Sequence, residues 1–267
     1  MSGRGSGRRF LVTGAASGIG ARLCDRLRDQ GDTVIPLDLQ PIENGIVCDL
    51  SDAGSIAQAA GSIVGTLDGI AHVAGLPGTA PAERIAAVNI IALRLLTTQV
   101  LDRLGPGGAI VVVSSVTAHR CPWTEKEVLE LLQHDDAAII ESLNAMSGPD
   151  AYAASKSLAN GWVSSLSGEL LAQGIRVNAV SPGPVQTPIL KDFEESMGAA
   201  RLQAAADIVG RHGEADEIAA AIAFLLSAQA SWVNGVNLAC DGGFSNARRV
   251  AANAPALQNS GERISCN

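Results

Sequence analysis

Tyrosine is nearly missing from this 267-residue chain, with one at position 152, and lysine is scarce, with three. Positive charge is also short, 19 Lys and Arg against 27 Asp and Glu. The net of -8 leaves no electrostatic footprint for nucleic acid, and none is expected as a partner. No uninterrupted apolar run of about 18 residues occurs, which argues against a membrane span. Five cysteines lack C-x-x-C spacing, so neither a disulfide framework nor a zinc site is suggested. His119, His134 and His212 do not cluster with carboxylates at ligand-like spacing, so no metal is expected. No apolar segment of the signal-peptide kind follows the opening "MSGRGSGRRF", and residues 1–7 read as a flexible leader. The expected setting is a reducing cytoplasm.

What is present is an alternation of short apolar runs with helical patterns, from "RFLVTG" and "IGARLCDRLRDQG" to "GVNLACDGG". That order signals βαβ units around a buried parallel sheet. Strands are predicted near residues 8–13, 33–38, 45–48, 67–73, 108–114, 175–180 and 236–240. The fold class is then α/β, a single-domain doubly wound sheet of about seven strands over residues 8–245, with helices on both faces. Between Asp38 and Asp49 there is room for a turn but not for a crossover helix. Residues 246–267 read as a polar C-terminal tail.

"TGAASGIG", Thr13–Gly20, falls where the first strand turns into the first helix, and its glycines let backbone approach a pyrophosphate at the helix N-terminus. Asp38 lies eighteen positions past Gly20, at the end of the next strand. A carboxylate there accepts the adenosine ribose hydroxyls and repels a 2′-phosphate, and neither Ser17 nor Leu39 supplies a base for one. The cofactor expected is NAD. In "YAASK", Tyr152 and Lys156 stand one helical turn apart, about 5–6 Å on one face, which suits an acid/base pair and equally a half-buried tyrosine beside a solvated lysine.

With these pieces in order alongside "CDL", "HVAG", the Asn of "AVNI", "VVVSSV", "NAVSPGPVQTP" and "DGG", the sequence resembles the short-chain dehydrogenase/reductase family over about residues 8–245. The resemblance implies Tyr152 as general acid/base, Lys156 as its partner, Ser115 as anchor of the substrate oxygen and Asn89 as support of a proton relay. A cation near the phenol would lower its pKa toward working pH. For Asn89, a structural hydrogen bond inside an apolar helix is the alternative. The resemblance also places Gly14, Ser17, Gly18, Ile19, Gly20, Asp38 and Leu39 against the nucleotide, Asp49 and Leu50 near adenine, and Ala74 and Gly75 along the ribose. Pro182, Gly183, Val185 and Thr187 fall on the nicotinamide side, with Tyr152 and Lys156. Asp49 reads equally well as part of a helix cap. His72 stands where many members have Asn, and a satisfied structural histidine is expected there.

Thirty-six residues separate Ser115 from Tyr152, more than many members of the family carry. The inserted segment, 118–149, shows a capping box at Thr124 and Glu127, a staple of Trp123 on Val128, and an apolar stripe through Val128, Leu131, Leu132, Ile139, Ile140, Leu143 and Met146. The stripe is open to three uses: packing on its own domain, meeting another subunit, or roofing the substrate pocket. This insertion and the short link after Asp38 resemble the bacterial 3α-hydroxysteroid dehydrogenase/carbonyl reductase branch. The implied activity is reversible NAD-dependent oxidation of a hydrophobic cyclic secondary alcohol, steroid- or terpenol-like, under a substrate loop at 188–212 holding Ile189, Leu190, Phe193 and Met197. The alternatives are an NADP-dependent carbonyl reductase and a non-catalytic nucleotide-binding regulator. A homodimer or homotetramer is implied.

Overall fold

In the middle of the central strands most side chains are apolar, and neighbours point to opposite faces. Of β1 (Arg9–Thr13), Leu11 enters one core while Phe10 and Val12 enter the other. Of β5 (Leu104–Val113), Ile110 and Val112 face the first core and Ala109, Val111 and Val113 the second. A sheet greasy on both sides must be covered on both. In a computed structural model of the protein, which describes residues 7–253, helices do so. The leader's residues 1–6 and the tail from 254 lie outside the described residues.

β1, β2 (Thr33–Asp38), β3 (Ile46–Val47), β4 (Leu67–His72), β5, β6 (Arg176–Pro182) and β9 (Asn237–Cys240) form one sheet, ordered β3-β2-β1-β4-β5-β6-β9. Each neighbouring pair is parallel. The chain starts in the middle, at β1, and winds outward both ways, so β1 and β4 flank the switch point where open α/β sheets bind ligands. As expected, residues 39–45 link β2 to β3 without a helix. A separate parallel pair, β7 (Val185–Gln186) and β8 (Gly213–Glu214), was not anticipated.

α1 (Gly18–Asp29) and α10 (Ala215–Leu226) pack together on one face. The other carries α2 (Ala53–Ser62), α4 (Ala92–Val100) and α7 (Gly148–Glu169). α3 (Ala82–Ala86) joins α4 through a π-helical turn at Ala87–Ile91. The helical run Ala82–Arg103 is long and apolar enough to cross a membrane, but 61% of its 18-residue apolar window is buried inside the protein.

The insertion forms α5 (Glu125–Leu131) and α6 (Asp136–Asn144). Thr124 and Glu127 make the capping box expected of them, and Asp135 caps α6 by accepting from the Ala138 amide at 2.9 Å. Of the three uses open to the stripe, packing on its own domain is the one observed: Val128, Leu132, Ile139 and Leu143 are buried in the first core, where α5 meets α7 and α6 meets α3 and α7. The segment read as a loop at 188–212 is mostly helical, α8 (Leu190–Met197) and α9 (Ala199–Val209), an arch whose stems pair as β7 and β8. The stretch read as the start of a polar tail is α11 (Phe244–Asn253), its entry fixed by Asp241, which accepts from the amides of Gly243 at 2.9 Å and Ser245 at 2.8 Å.

Candidate active site

The glycine turn is narrow because backbone passes backbone there. At Gly14, φ is +68°, and a Cβ would stand 2.7 Å from the Ala74 nitrogen. At Gly20 a Cβ would meet the Gly14 carbonyl oxygen at 2.0 Å. Only glycine fits either place. Ser17 is the N-cap of α1 but makes no side-chain cap, and no acid lies in the first turn. The helix therefore presents free amides and a positive end to an anion. Thr13, buried, accepts from the amides of Val73 at 3.0 Å and Ala74 at 3.2 Å, which ties the end of β4 to the turn.

A cleft of about 260 Å³ runs from this turn past Asp38, Leu39, Asp49, Leu50, Ala74 and Gly75. Asp38 accepts from the amides of Ala16 and Gln40, both at 3.0 Å, so its carboxylate is held at the rim. Asp49 accepts from the amide and hydroxyl of Ser51, which hold its carboxyl below the usual range. The cap of α2 is Asp52 and not Asp49. The shape suits a dinucleotide: glycines where phosphates would crowd, a helix N-terminus behind them, and a fixed carboxylate one strand away. Cys48, Arg84, Val88 and Pro188 also line this cleft, and sequence spacing offers no signal for them.

A second cavity of about 410 Å³ adjoins it, and Gly75, Ile19 and Thr187 belong to both. Its wall includes Ser115, Tyr152, Lys156, Pro182, Gly183 and Val185. Thus every residue assigned from sequence to cofactor or catalysis lines one space or the other, except Asn89. α7 brings Tyr152 and Lys156 here, capped by Ser147 and entered through Gly148, where a Cβ would meet the Gly78 carbonyl oxygen at 2.0 Å. Ser115 lies two residues beyond β5 and caps the short 3-10 turn Val116–Arg120. Ser114 points away, as alternation requires, and donates to the Lys156 carbonyl oxygen at 3.1 Å.

Electrostatics here depart from the sequence expectation. Burial, opposed by a hydrogen bond from Ser115, pushes the Tyr152 phenol up to about 12. Burial also pushes Lys156 down to about 8. The Lys156 Nζ donates to the Val113 carbonyl oxygen at 2.9 Å and lies 5.8 Å from the centre of the Tyr152 ring. The expected lowering of the phenol pKa by Lys156 is not found: desolvation disfavours the charged form of each group, and only Ser115 opposes it at the phenol.

Asn89, in the π-helical turn, donates to the Leu76 carbonyl oxygen at 3.0 Å and to Ser155 Oγ at 3.1 Å, and accepts from the Leu76 amide at 2.8 Å. It fastens the strand-end loop to α7 one residue from Lys156. His72 meets Thr97 Oγ1 at 2.8 Å and the edge of Trp162, and burial pushes it down to about 3, the satisfied structural histidine foreseen.

α8 and α9 cover the cavity. Ile189, Leu190, Phe193 and Met197 all line it, and Phe193 packs on Tyr152 with ring centres 5.2 Å apart. α11 contributes Phe244 and Arg248, and the 3-10 turn contributes His119 and Arg120, none of them singled out by sequence spacing.

Residues 8–126 match the family described as short chain dehydrogenase, and residues 136–245 one described as Enoyl-(Acyl carrier protein) reductase. The coniferyl-alcohol dehydrogenase of a Pseudomonas species is 35% identical, over 90% of this chain and 97% of its own. The 3-alpha-hydroxysteroid dehydrogenase/carbonyl reductase of Comamonas testosteroni is 29% identical, over 88% and 95%. Among solved structures, the 3-alpha-hydroxysteroid dehydrogenase of a Pseudomonas species complexed with NADH superposes with a TM-score of 0.80 at 32% identity, covering 91% of this chain and 98% of that one. Likeness of that extent, on a sheet whose switch point already opens into a nucleotide-shaped cleft, means that the chain belongs to the short-chain dehydrogenase/reductase family, as an oxidoreductase that acts on alcohols and binds a nicotinamide dinucleotide.

Proposed function

We propose that the protein reversibly oxidises an apolar cyclic secondary alcohol to its ketone, with NAD as the acceptor. The observation that carries this reading is the cavity itself, in which Ser115, Tyr152 and Lys156 stand together beside the apolar side chains of Val113, Ile189, Phe193 and Met197, under α8 and α9. A bound nicotinamide ring would accept the hydride. Ser115 would hold the carbinol oxygen and Tyr152 would take its proton. Lys156, partly deprotonated near pH 8, is suited to pass that proton onward. Asn89 keeps Lys156's helix in register with the loop at Gly75.

NAD rather than NADP is supported by Asp38, whose fixed carboxylate would repel a 2′-phosphate. The substrate class is supported by the size and apolarity of the cavity and by the name of the hydroxysteroid relative. An assembly of two or four copies in the cytoplasm belongs to the same proposal. In its support, β9 is a sheet edge and Trp232, shortly before it, is 99% exposed. The deciding assay follows NADH absorbance with a panel of racemic cyclic alcohols and with either nucleotide. Turnover with NAD at least tenfold above NADP is expected, and a preference for NADP would overturn the reading of Asp38. Light scattering gives the number of copies.

A further inference from the structure

The chain is acidic, at -8, yet the wall of the substrate cavity holds no Asp and no Glu. It holds three arginines instead, from three separate elements: Arg120 at the end of the turn that Ser115 caps, Arg201 on α9 and Arg248 on α11. Elsewhere arginine is mostly paired, as in Arg8 with Asp32, Arg26 with Asp216 and Arg211 with Glu217. Among the described residues, none of the cavity's three arginines has a carboxylate within ion-pair distance. They feel one another: the charge of Arg120 and, less, that of Arg248 disfavour the proton on Arg201. Arg248 is steadied by Phe244, its guanidinium 5.6 Å from the ring centre. Arg120 is half-buried and the other two are exposed, and like charges gathered on one wall repel one another unless an anion joins them.

The cofactor does not supply that anion. Phosphates belong at the N-terminus of α1, and the cleft there is lined by none of the three. The same cavity is lined by the large apolar side chains of Phe193, Met197, Leu202 and Ile208. Five residues of 3-10 turn carry the chain from Ser115 to Arg120, roughly 10 Å at the usual rise. Along that backbone, the first of the three arginines is thus set off from the residue that would hold the hydroxyl by about the length of a fused-ring skeleton.

We infer that the substrate is an amphiphile, an apolar ring system with the reacting hydroxyl at one end and an oxyanion, carboxylate or sulfate, at the other, the latter received by Arg120, Arg201 and Arg248. Guanidinium forks suit both anions, and two or three of them around one anion select it over a neutral ester. This rests on the alcohol-oxidising reading of the same cavity.

The test compares a steroid alcohol whose side chain ends in a carboxylate with its sulfate-ended counterpart and its methyl ester. Activity is read as kcat/KM with NAD, and affinity as binding to the NADH complex. The expected result is a preference of at least about tenfold for the charged compounds, expressed in KM and shrinking as salt rises. In Arg201→Gln/Arg248→Gln, with NADH binding and thermal midpoint as checks of folding, kcat/KM for the acid falls at least about tenfold more than for the ester. The carboxylate and sulfate arms tell which oxyanion fits. Equal turnover of acid and ester overturns the anion end and leaves the alcohol reading standing. If neither is oxidised, the alcohol reading fails. Binding then still decides the anion end: tighter, arginine-dependent binding of the acid sustains it, and equal binding of acid and ester sinks it.

Discussion

The two adjoining spaces are made of opposite materials. The nucleotide cleft is drawn tight on backbone at Gly14 and Gly20, where added Cβ atoms would come within 2.7 and 2.0 Å of backbone atoms. The substrate cavity is mostly side chains, borne on α8, α9, α11 and a 3-10 turn. A backbone cleft is bound to the sheet and cannot be reshaped without moving it. A side-chain cavity can be recut at its roof while the sheet stays put. Substitutions in the first should therefore strike folding and cofactor together, and substitutions in the second should strike substrate alone.

The largest effect should come at the junction of the two. Tyr152→Phe is expected to lower kcat by about 10²–10⁴-fold while NADH affinity holds. In the wild type, oxidation needs the phenolate, whose pKa burial raises to about 12, so its rate should climb from pH 7 toward 10, whereas ketone reduction, which needs the neutral phenol, should stay level over the same range. Retained turnover in the variant, or an oxidation rate flat with pH, would remove Tyr152 from proton transfer. Gly20→Ala comes next, since its methyl must displace the Gly14 carbonyl oxygen. A loss of roughly 1–3 kcal/mol by denaturant unfolding, together with weakened NADH binding, is expected. If binding weakened without any loss of stability, the cleft would be less firmly part of the sheet than argued.

Asp38→Ser should cut the NAD-over-NADP ratio by about tenfold, measured as the two kcat/KM values, because the repelling carboxylate is gone. An unchanged ratio would move cofactor choice elsewhere in the cleft. Phe193→Ala is the mildest. Losing the ring on Tyr152 should raise KM a few-fold, in keeping with about 0.5–1.5 kcal/mol for an aromatic pair, with the thermal midpoint little altered. A large drop in midpoint would mean that the arch supports the core.

The contrast also explains what was legible beforehand. The sheet could be read because each strand is a short apolar run of local sequence, and the cleft because Thr13–Gly20 and Asp38 sit at fixed spacing on consecutive elements. The capping box and the stripe of the insertion were readable for the same reason. What the stripe would face was not, since that depends on α3 and α7 arriving from elsewhere in the chain. Arg120, Arg201 and Arg248 lie scattered in sequence and meet only through tertiary packing. The tyrosine's acidity was misjudged because spacing reveals a cation one turn away but not how much water the fold removes.

The first stem of the arch has a further consequence. Thr187 and Ile189 line both spaces, and Thr187 also packs against the position a side chain would take at Gly18. One partition thus has a binding event on either side. Equilibrium linkage then allows no one-way influence: by whatever factor the dinucleotide tightens the grip on the alcohol, the alcohol must tighten the grip on the dinucleotide by the same factor.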